Sequence, residues 1–388
     1  MKFRGYRRPD GKVGIRNHVL ILPTVGCASE TCRMIAGLVK GSVSFVNQNG
    51  CGEVEGNLRL TQEVLAGFAA NPDVYGTILV GLGCELNSTE NMLELIGSKT
   101  NKPLYKLVIQ EEGGTVNTVC RGVQMAQELV SDATSCLPEE AEVSELIIGM
   151  ECGGSDATSG LASNPVVGYV SDRLVDLGGT VIFSETPEII GAEHILAGRC
   201  KNPDMGQRIL DFCAKLEADL KSANEDLRSG QPSPGNKAGG ISTLEEKSLG
   251  CIYKGGTRPI SEVIAYASRP SQKGLIFMDT PGYDPLSVSA KVAAGCQLIV
   301  FTTGRGNPLG NPVAPVFKVT ANPETFSRMK DNMDMDLSPV IRGEKTIEEM
   351  GSALLNEILN IANGKKSRAE IHGFGYGEVV IRRVCDYV

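Results

Sequence analysis

The chain has no tryptophan, and its aromatic residues make up only 5% of 388 positions. That scarcity argues against a base-stacking surface and against an aromatic carbohydrate groove. Positive charge is also in deficit, because 38 lysines and arginines face 46 acidic residues and leave a net charge of −8. A general nucleic-acid binder needs a basic face to meet phosphate, so nucleic acid is not an expected partner. No run approaches the ~18 uncharged apolar residues of a membrane span, and the opening MKFRGYRRPDGK lacks the apolar stretch of a secretory signal. The expectation is a cytoplasmic protein with reduced thiols and no membrane partner. Its 12 cysteines are too sparse for a disulfide scaffold. They form no C-x₂-C pair, which argues against a zinc ribbon. P-loop, HExxH and G-x-S-x-G strings are missing, and GLGCEL at Gly81 lacks the third glycine of a dinucleotide fingerprint.

Glycine, by contrast, is plentiful: 46 residues, well above the usual share of roughly 7%. Several glycines sit beside cysteines at the ends of short apolar runs, as in HVLILPTVGC, SVSFVNQNGC, YGTILVGLGC and ELIIGMEC. Such runs read as buried strands. Segments with helical spacing follow, including 30–39 and 57–70. Further strands are expected at 103–110, 146–150, 180–184, 274–280 and 297–304. Helices are expected at 115–130, 166–177, 205–227 and 346–363, with another opened by Pro187. Repeated strand, glycine turn and helix specify an α/β protein. We expect two Rossmann-like parallel-sheet domains, residues 1–137 and 138–388, parted within the polar stretch Ser131 to Ser144. The segment 230–240, rich in turn formers, reads as neither helix nor strand. Ligands of parallel sheets lie beyond the carboxyl ends of the strands, where these glycine turns gather, although such turns also need glycine for geometry alone.

Long strings then become recognisable. GYRRPDGKVGIRN (5–17), NGCG (49–52), GLGCELN (81–87), IQEEGGT (109–115), CGGSDATSGLASNP (152–165), SETPEIIGAEH (184–194), SPGNKAGG (233–240), FMDTPGYDP (277–285) and FTTGRG (301–306) resemble the altronate and galactarate dehydratase family, which also includes the large subunit of sulfolactate sulfo-lyase. The resemblance implies a lyase acting on a small anionic 2-hydroxy acid. The reaction would begin with α-proton removal, and an enolate-like intermediate would be held by a divalent metal, Fe²⁺ by family habit. Elimination would then expel sulfite from (2R)-sulfolactate, the preferred expectation, or hydroxide from altronate or galactarate; a non-catalytic scaffold is the alternative of another class. Family dehydratases carry a small SAF-type domain ahead of the first string, whereas this chain begins almost at it, implying a separate small SAF-type α subunit. The family often has a histidine before NGCG, where this chain has Asn47, Gln48 and Asn49. Sulfite leaves more easily than hydroxide and has less need of a positioned acid there.

Candidate residues come from these strings. His194, Glu185 and Glu111 are the expected catalytic groups. The alternatives are a core histidine for His194 and a charge favouring a helix N-terminus for Glu185. Arg16, Asn17, Gln110, Thr115, Ser155, Asp156, Asn164, Lys237 and Arg305 are the expected substrate contacts, Arg305 first because its guanidinium fork suits carboxylate or sulfonate. Cys51, Cys84 and Cys152 are the expected metal ligands, unless they are simply small hydrophobes packed in turns. An iron–sulfur cluster is not expected.

Overall fold

The computed structural model describes residues 1–376 and 379–383. Its strands are β1 Lys2–Arg7, β2 Val13–Gly14, β3 His18–Pro23, β4 Ser42–Ser44, β5 Val74–Gly81, β6 Leu104–Val108, β7 Glu139–Glu142, β8 Ile147–Cys152, β9 Thr180–Ser184, β10 Ile260–Ile264, β11 Gly274–Met278, β12 Leu298–Thr302, β13 Val316–Thr320 and β14 Met335–Asp336. A four-stranded parallel sheet has the order β4-β3-β5-β6, and a seven-stranded parallel sheet has the order β10-β11-β9-β8-β12-β13-β14. The expected α/β class with parallel sheets is what the chain adopts. The smaller sheet reverses its order between β3 and β5; the larger one does so between β8 and β12, and β10 lies outside β11 at its far edge. Loops leaving adjacent strands there part in opposite directions and open a crevice.

Strands β8, β9, β11 and β12 carry Ile, Val, Leu, Phe and Met on both faces because helices cover both sides. One apolar core runs between the sheets: Leu20, Leu22 and Phe68 pack in the same cluster as Ile276, Met278 and Phe301. The junction is tight at Gly67, where a Cβ would stand 2.5 Å from the Ala293 carbonyl oxygen. Nearby, the Asn71 side-chain amide donates to the carbonyls of Val292 (2.8 Å) and Cys296 (2.9 Å).

Three local expectations change. The helix 115–130 continues to Ser135, and β7 follows and pairs antiparallel with β1, which joins the first strand to residues beyond 137. Pro187 opens only a 3₁₀ turn, Thr186–Glu188; Gly191 at φ 93° interrupts the path, and helix resumes at Glu193–Ala197. The turn-rich segment contains a short helix, Pro234–Ala238, because Ser233 and Asn236 bond each other's backbone N–H and Pro234 presets the first helical φ.

Arg16 and Asp73 fasten the amino-terminal arm. All five N–H groups of Arg16 are spent within the protein, on Glu370 (2.7 and 2.9 Å) and on the carbonyls of Ile15, Ile361 and Lys365. Asn17 is likewise engaged, accepting from Arg8 and donating to the Ala133 carbonyl, both at 2.7 Å. Asp73 accepts the backbone N–H of Ile15 (2.6 Å) and Arg16 (3.1 Å), while its Oδ2 is buried without a partner. Burial pushes this carboxyl up to about 7 against the pull of Arg16 and the two N–H groups. Between about pH 4 and pH 7 the folded state therefore holds a proton that the unfolded chain has released, so Asp73 lowers stability as pH rises through that window. Thermal unfolding of Asp73→Asn should lose this slope. Relative to the parent, it should gain on the order of 2–4 kcal/mol between pH 4.5 and pH 8; parallel pH profiles would refute the assignment.

Candidate functional site

The crevice between β8 and β12 holds an unusual concentration of buried charge. Glu151 and Cys152 end β8, Glu185 follows β9, Thr280 follows β11, and the Asp284–Ala293 helix brings Ser287 and Lys291. Because both faces of the sheet are covered, Glu151, Glu185 and Lys291 are wholly removed from solvent. Glu151 pairs with Lys291 and accepts from Ser287 at 2.9 Å. Glu185 pairs with Lys254, which also donates to Cys251 Sγ at 2.9 Å. Glu188 pairs with Lys247 at 2.9 Å and accepts from Cys251 at 2.8 Å. Each carboxylate thus has an ammonium beside it, without which its burial would be prohibitive.

Glu185 adopts a left-handed conformation, φ 84° and ψ 73°, although it is not glycine. Its backbone N–H donates to Thr280 Oγ1 at 3.1 Å. Strain of this kind persists only where surrounding contacts over-determine it, and here it turns the carboxylate toward Lys254. Burial and the neighbouring Glu151 and Glu188 push the Glu185 carboxyl well above the usual range. Burial likewise pushes Asp284 up to about 8. Gly153 leaves room for this last group, since a Cβ there would stand 2.4 Å from both Asp284 oxygens.

On the other flank, Cys152 sits against Ser155 Oγ at 3.0 Å and the Asn164 side-chain amide at 3.4 Å. Asn164 also donates to the Gly250 carbonyl at 3.0 Å and accepts from Thr302 at 2.6 Å. The neighbouring Cys251, with Lys254 and Ser155, outweighs burial and draws the Cys152 thiol down to about 6. Cys152, burial and Glu188 push Cys251 up. A cavity of about 240 Å³ adjoins this flank, lined by Ser155, Asn164, Lys247, Cys251 and Tyr253 among others.

The residues fit a divalent cation. Four carboxyl side chains, Glu151, Glu185, Glu188 and Asp284, crowd beside three lysines. Glu151 Oε1 and Glu185 Oε1 are buried with no hydrogen-bond partner. One oxygen from each of Glu151, Glu185 and Asp284 lies within 4.8 Å of the other two. Oxygen donors in that number suit a hard or intermediate divalent ion. Cys152, Glu188 and Cys251 form a second group of the same compactness.

Several expected residues therefore meet: Glu185, Cys152, Ser155 and Asn164 belong to the network or touch it. Asp156 is buried next to them, held by Thr158 (2.6 Å) and Asn322 (2.8 Å). Arg305 is exposed above β12, its backbone N–H bonded to the Gly154 carbonyl at 2.8 Å. Lys237 is exposed on the Pro234–Ala238 helix, whose Asn236 donates to the Ser155 carbonyl at 2.8 Å. The others lie elsewhere. Gln110, Glu111 and Thr115 are exposed after β6, and Cys51 and Cys84 are exposed on loops of the smaller sheet. His194 is exposed in the first turn of Glu193–Ala197. Of the three expected metal ligands, Cys152 is buried beside Cys251 at the end of β8, whereas Cys51 and Cys84 are exposed on loops of the smaller sheet. Glu151, Glu188, Lys247, Asp284 and Lys291 escaped sequence reading. The signal for two of them was a charge inside an apolar run, Glu151 in LIIGMEC and Lys291 in SVSAKVAAG.

Comparison with known proteins gives this geometry a family. The model of the C-terminal domain of D-galactarate/altronate dehydratase matches residues 143–385. The second-domain model of D-galactarate dehydratase/altronate hydrolase matches 5–134. The chain belongs to the D-galactarate/altronate dehydratase family. It is 37% identical to the (2R)-sulfolactate sulfo-lyase subunit beta of Chromohalobacter salexigens over 99% of this chain and 98% of that protein. It is 32% identical to altronate dehydratase of Escherichia coli over 95% of this chain and 75% of that protein, and 36% identical to galactarate dehydratase (L-threo-forming) of the same organism over 94% and 73%. Members of this family are lyases, which supports lyase chemistry for the chain. Among the described residues no helix is long and apolar enough to cross a membrane.

If the oxygen donors hold a cation, chelator-treated protein should gain stability on adding Mn²⁺, by about 2.7 kcal/mol at a hundredfold excess over Kd. Glu151→Gln should abolish that gain in a thermal-shift titration. An undiminished gain in the variant would remove Glu151 from the site.

Proposed function

We propose that the chain is the large subunit of a lyase that removes the α-proton of a small 2-hydroxy acid and expels its β-substituent, acting in the cytoplasm with a small SAF-type partner. The substrate favoured is (2R)-sulfolactate, giving pyruvate and sulfite. The observation that carries the lyase reading is the buried network of three carboxylate–lysine pairs with an acidified thiol, next to a cavity of small-acid size. Sulfolactate is supported by the 37% identity that runs through 98% of a sulfo-lyase subunit. That relative's name, subunit beta, supports a partner chain. Asn47, Gln48 and Asn49 add to this, since a leaving group as good as sulfite has less need of an acid at that position.

Lys247, at the cavity wall and paired with Glu188, and Arg305 and Lys237, exposed on segments bonded to Gly154 and Ser155, supply cations for the substrate's carboxylate and sulfonate. Asn164 and Ser155 orient the acid and hold the Cys152 sulfur. Cys152, whose thiol its neighbours draw down, takes the α-proton, with Cys251 and its partner Glu188 behind it. Glu151, Glu185 and Asp284 would hold the divalent metal, iron in our reading, which supplies charge stabilisation for the enolate when bound. Lys254 and Lys291 stand beside Glu185 and Glu151 and offset their negative charge. His194 and Glu111, exposed and outside this network, are assigned no step.

The test is an anaerobic assay of the chain with its candidate small subunit and ferrous ion on sulfolactate, altronate and galactarate. Sulfite release is expected from sulfolactate, with turnover reduced at least about a hundredfold in Cys152→Ser. Formation of a 2-keto-3-deoxy acid from either sugar acid, without sulfite release, would transfer the assignment to the dehydratases. Full activity in Cys152→Ser would remove its role as base.

A further inference from the structure

The smaller sheet has its own crevice, between β3 and β5, which the network above does not use. Three loops meet there: 24–28 after β3, 45–54 after β4, and 82–88 after β5. Each carries a cysteine directly after a glycine: Cys27, Cys51 and Cys84. The loops are laced together within three residues of every one of these thiols. Gly26 N–H donates to the Asn49 carbonyl at 3.0 Å, and Asn87 N–H to the Gly50 carbonyl at 3.0 Å. The Asn87 side-chain amide reaches the Thr24 carbonyl at 2.8 Å, and Thr24 Oγ1 donates to Glu85 at 3.0 Å. Gly50, at φ 102°, permits this approach; a Cβ there would stand 2.2 Å from the Thr24 carbonyl oxygen.

Glu85 and Asn47 are committed to the backbone of these loops and of β3. Glu85 accepts from Leu82 N–H (3.1 Å) and Gly83 N–H (2.6 Å), and Asn47 accepts from Asn49 N–H (2.9 Å) and donates to the Pro23 carbonyl (3.1 Å). The thiols are exposed, unlike the packed cysteines 32, 152, 213, 251 and 296. An exposed thiol gains nothing from packing and stays open to a ligand, and these three follow the strands of one sheet on loops that are bonded to one another. A single tetrahedral ion with bonds of ~2.3 Å needs sulfurs less than about 4 Å apart. Among the described residues the triads that compact are the two of the larger sheet. A multinuclear centre tolerates sulfurs farther apart than a single ion does, and soft thiolates select iron–sulfur clusters.

We propose that Cys27, Cys51 and Cys84 ligate an iron–sulfur cluster. Each thiol gives up its proton to solvent as it binds iron. A four-iron cluster usually takes four thiolates, so three leave one iron open to an oxygen donor. On the function proposed above, on which this role rests, the ligand class is a 2-hydroxy acid, which offers hydroxyl and carboxylate oxygens together. Mixed oxygen donors at Glu151, Glu185 and Asp284 and sulfur donors here would then be two separate metal sites.

The test uses the full chain purified without oxygen, before and after incubation with iron, sulfide and a thiol reductant. Broad visible absorption, with iron and acid-labile sulfide in equal amounts, is expected for the parent and for Cys120→Ser and Cys136→Ser, which alter exposed thiols outside the triad. Cys27→Ser, Cys51→Ser and Cys84→Ser should each lose most of the chromophore while keeping the parent's far-ultraviolet circular dichroism. A parent chain that takes up no sulfide, or a triple variant that keeps the chromophore, overturns the proposal. A chain that holds the cluster yet releases neither sulfite nor keto acid upholds it and sinks the functional assignment instead.

Discussion

The structure depends on matching charge that has been taken out of water. Glu151, Glu185 and Glu188 stand at the carboxyl ends of the large sheet with almost no solvent, and each is tolerable only because Lys291, Lys254 or Lys247 stands beside it. Those lysines come from two separate segments, the Asp284–Ala293 helix and residues 247–254, so the pairs also fix where these segments lie against β8 and β9. Removing one partner would strand a charge in the core and undo both the site and the packing around it.

The same requirement explains the electrostatic poise of the site. Lysines stand beside three of the carboxyl groups but leave two carboxylate oxygens with no hydrogen-bond partner. A protein built only for stability would have replaced such groups with apolar ones of similar volume. Their retention, the strained backbone at Glu185 and the thiol pulled down to about 6 at Cys152 mark the crevice as a place where stability is traded for reactivity. The two sheets repeat one device: a reversal in strand order with ligand-type side chains at the opening, carboxylates and lysines in one, exposed thiols in the other.

Much of the fold was legible beforehand. Apolar runs such as TVIFS and GLIFM could only be doubly covered strands, and glycine turns followed by amphipathic segments gave the parallel connections. Exceptions arose where a single local contact outweighed composition, as when the Ser233–Asn236 capping pair makes a helix of a turn-rich string, or Gly191 at φ 93° delays the helix that carries His194. The site was half legible. Motif strings pointed to Glu185, Cys152, Ser155 and Asn164, which do meet. Strings of equal quality also pointed to Arg16 and Asn17, whose side chains are committed to Glu370 and to backbone carbonyls of the arm and neighbouring segments.

What the sequence alone determined was the period of its elements and the position of its turns, because these follow from residue-by-residue preferences and burial of apolar faces. Tertiary structure decided which polar groups face one another. Lys291 is 140 residues from Glu151, and Lys254 is 69 from Glu185. No local rule relates residues so far apart; only the desolvation of a carboxylate in a closed core selects the ammonium that must lie beside it.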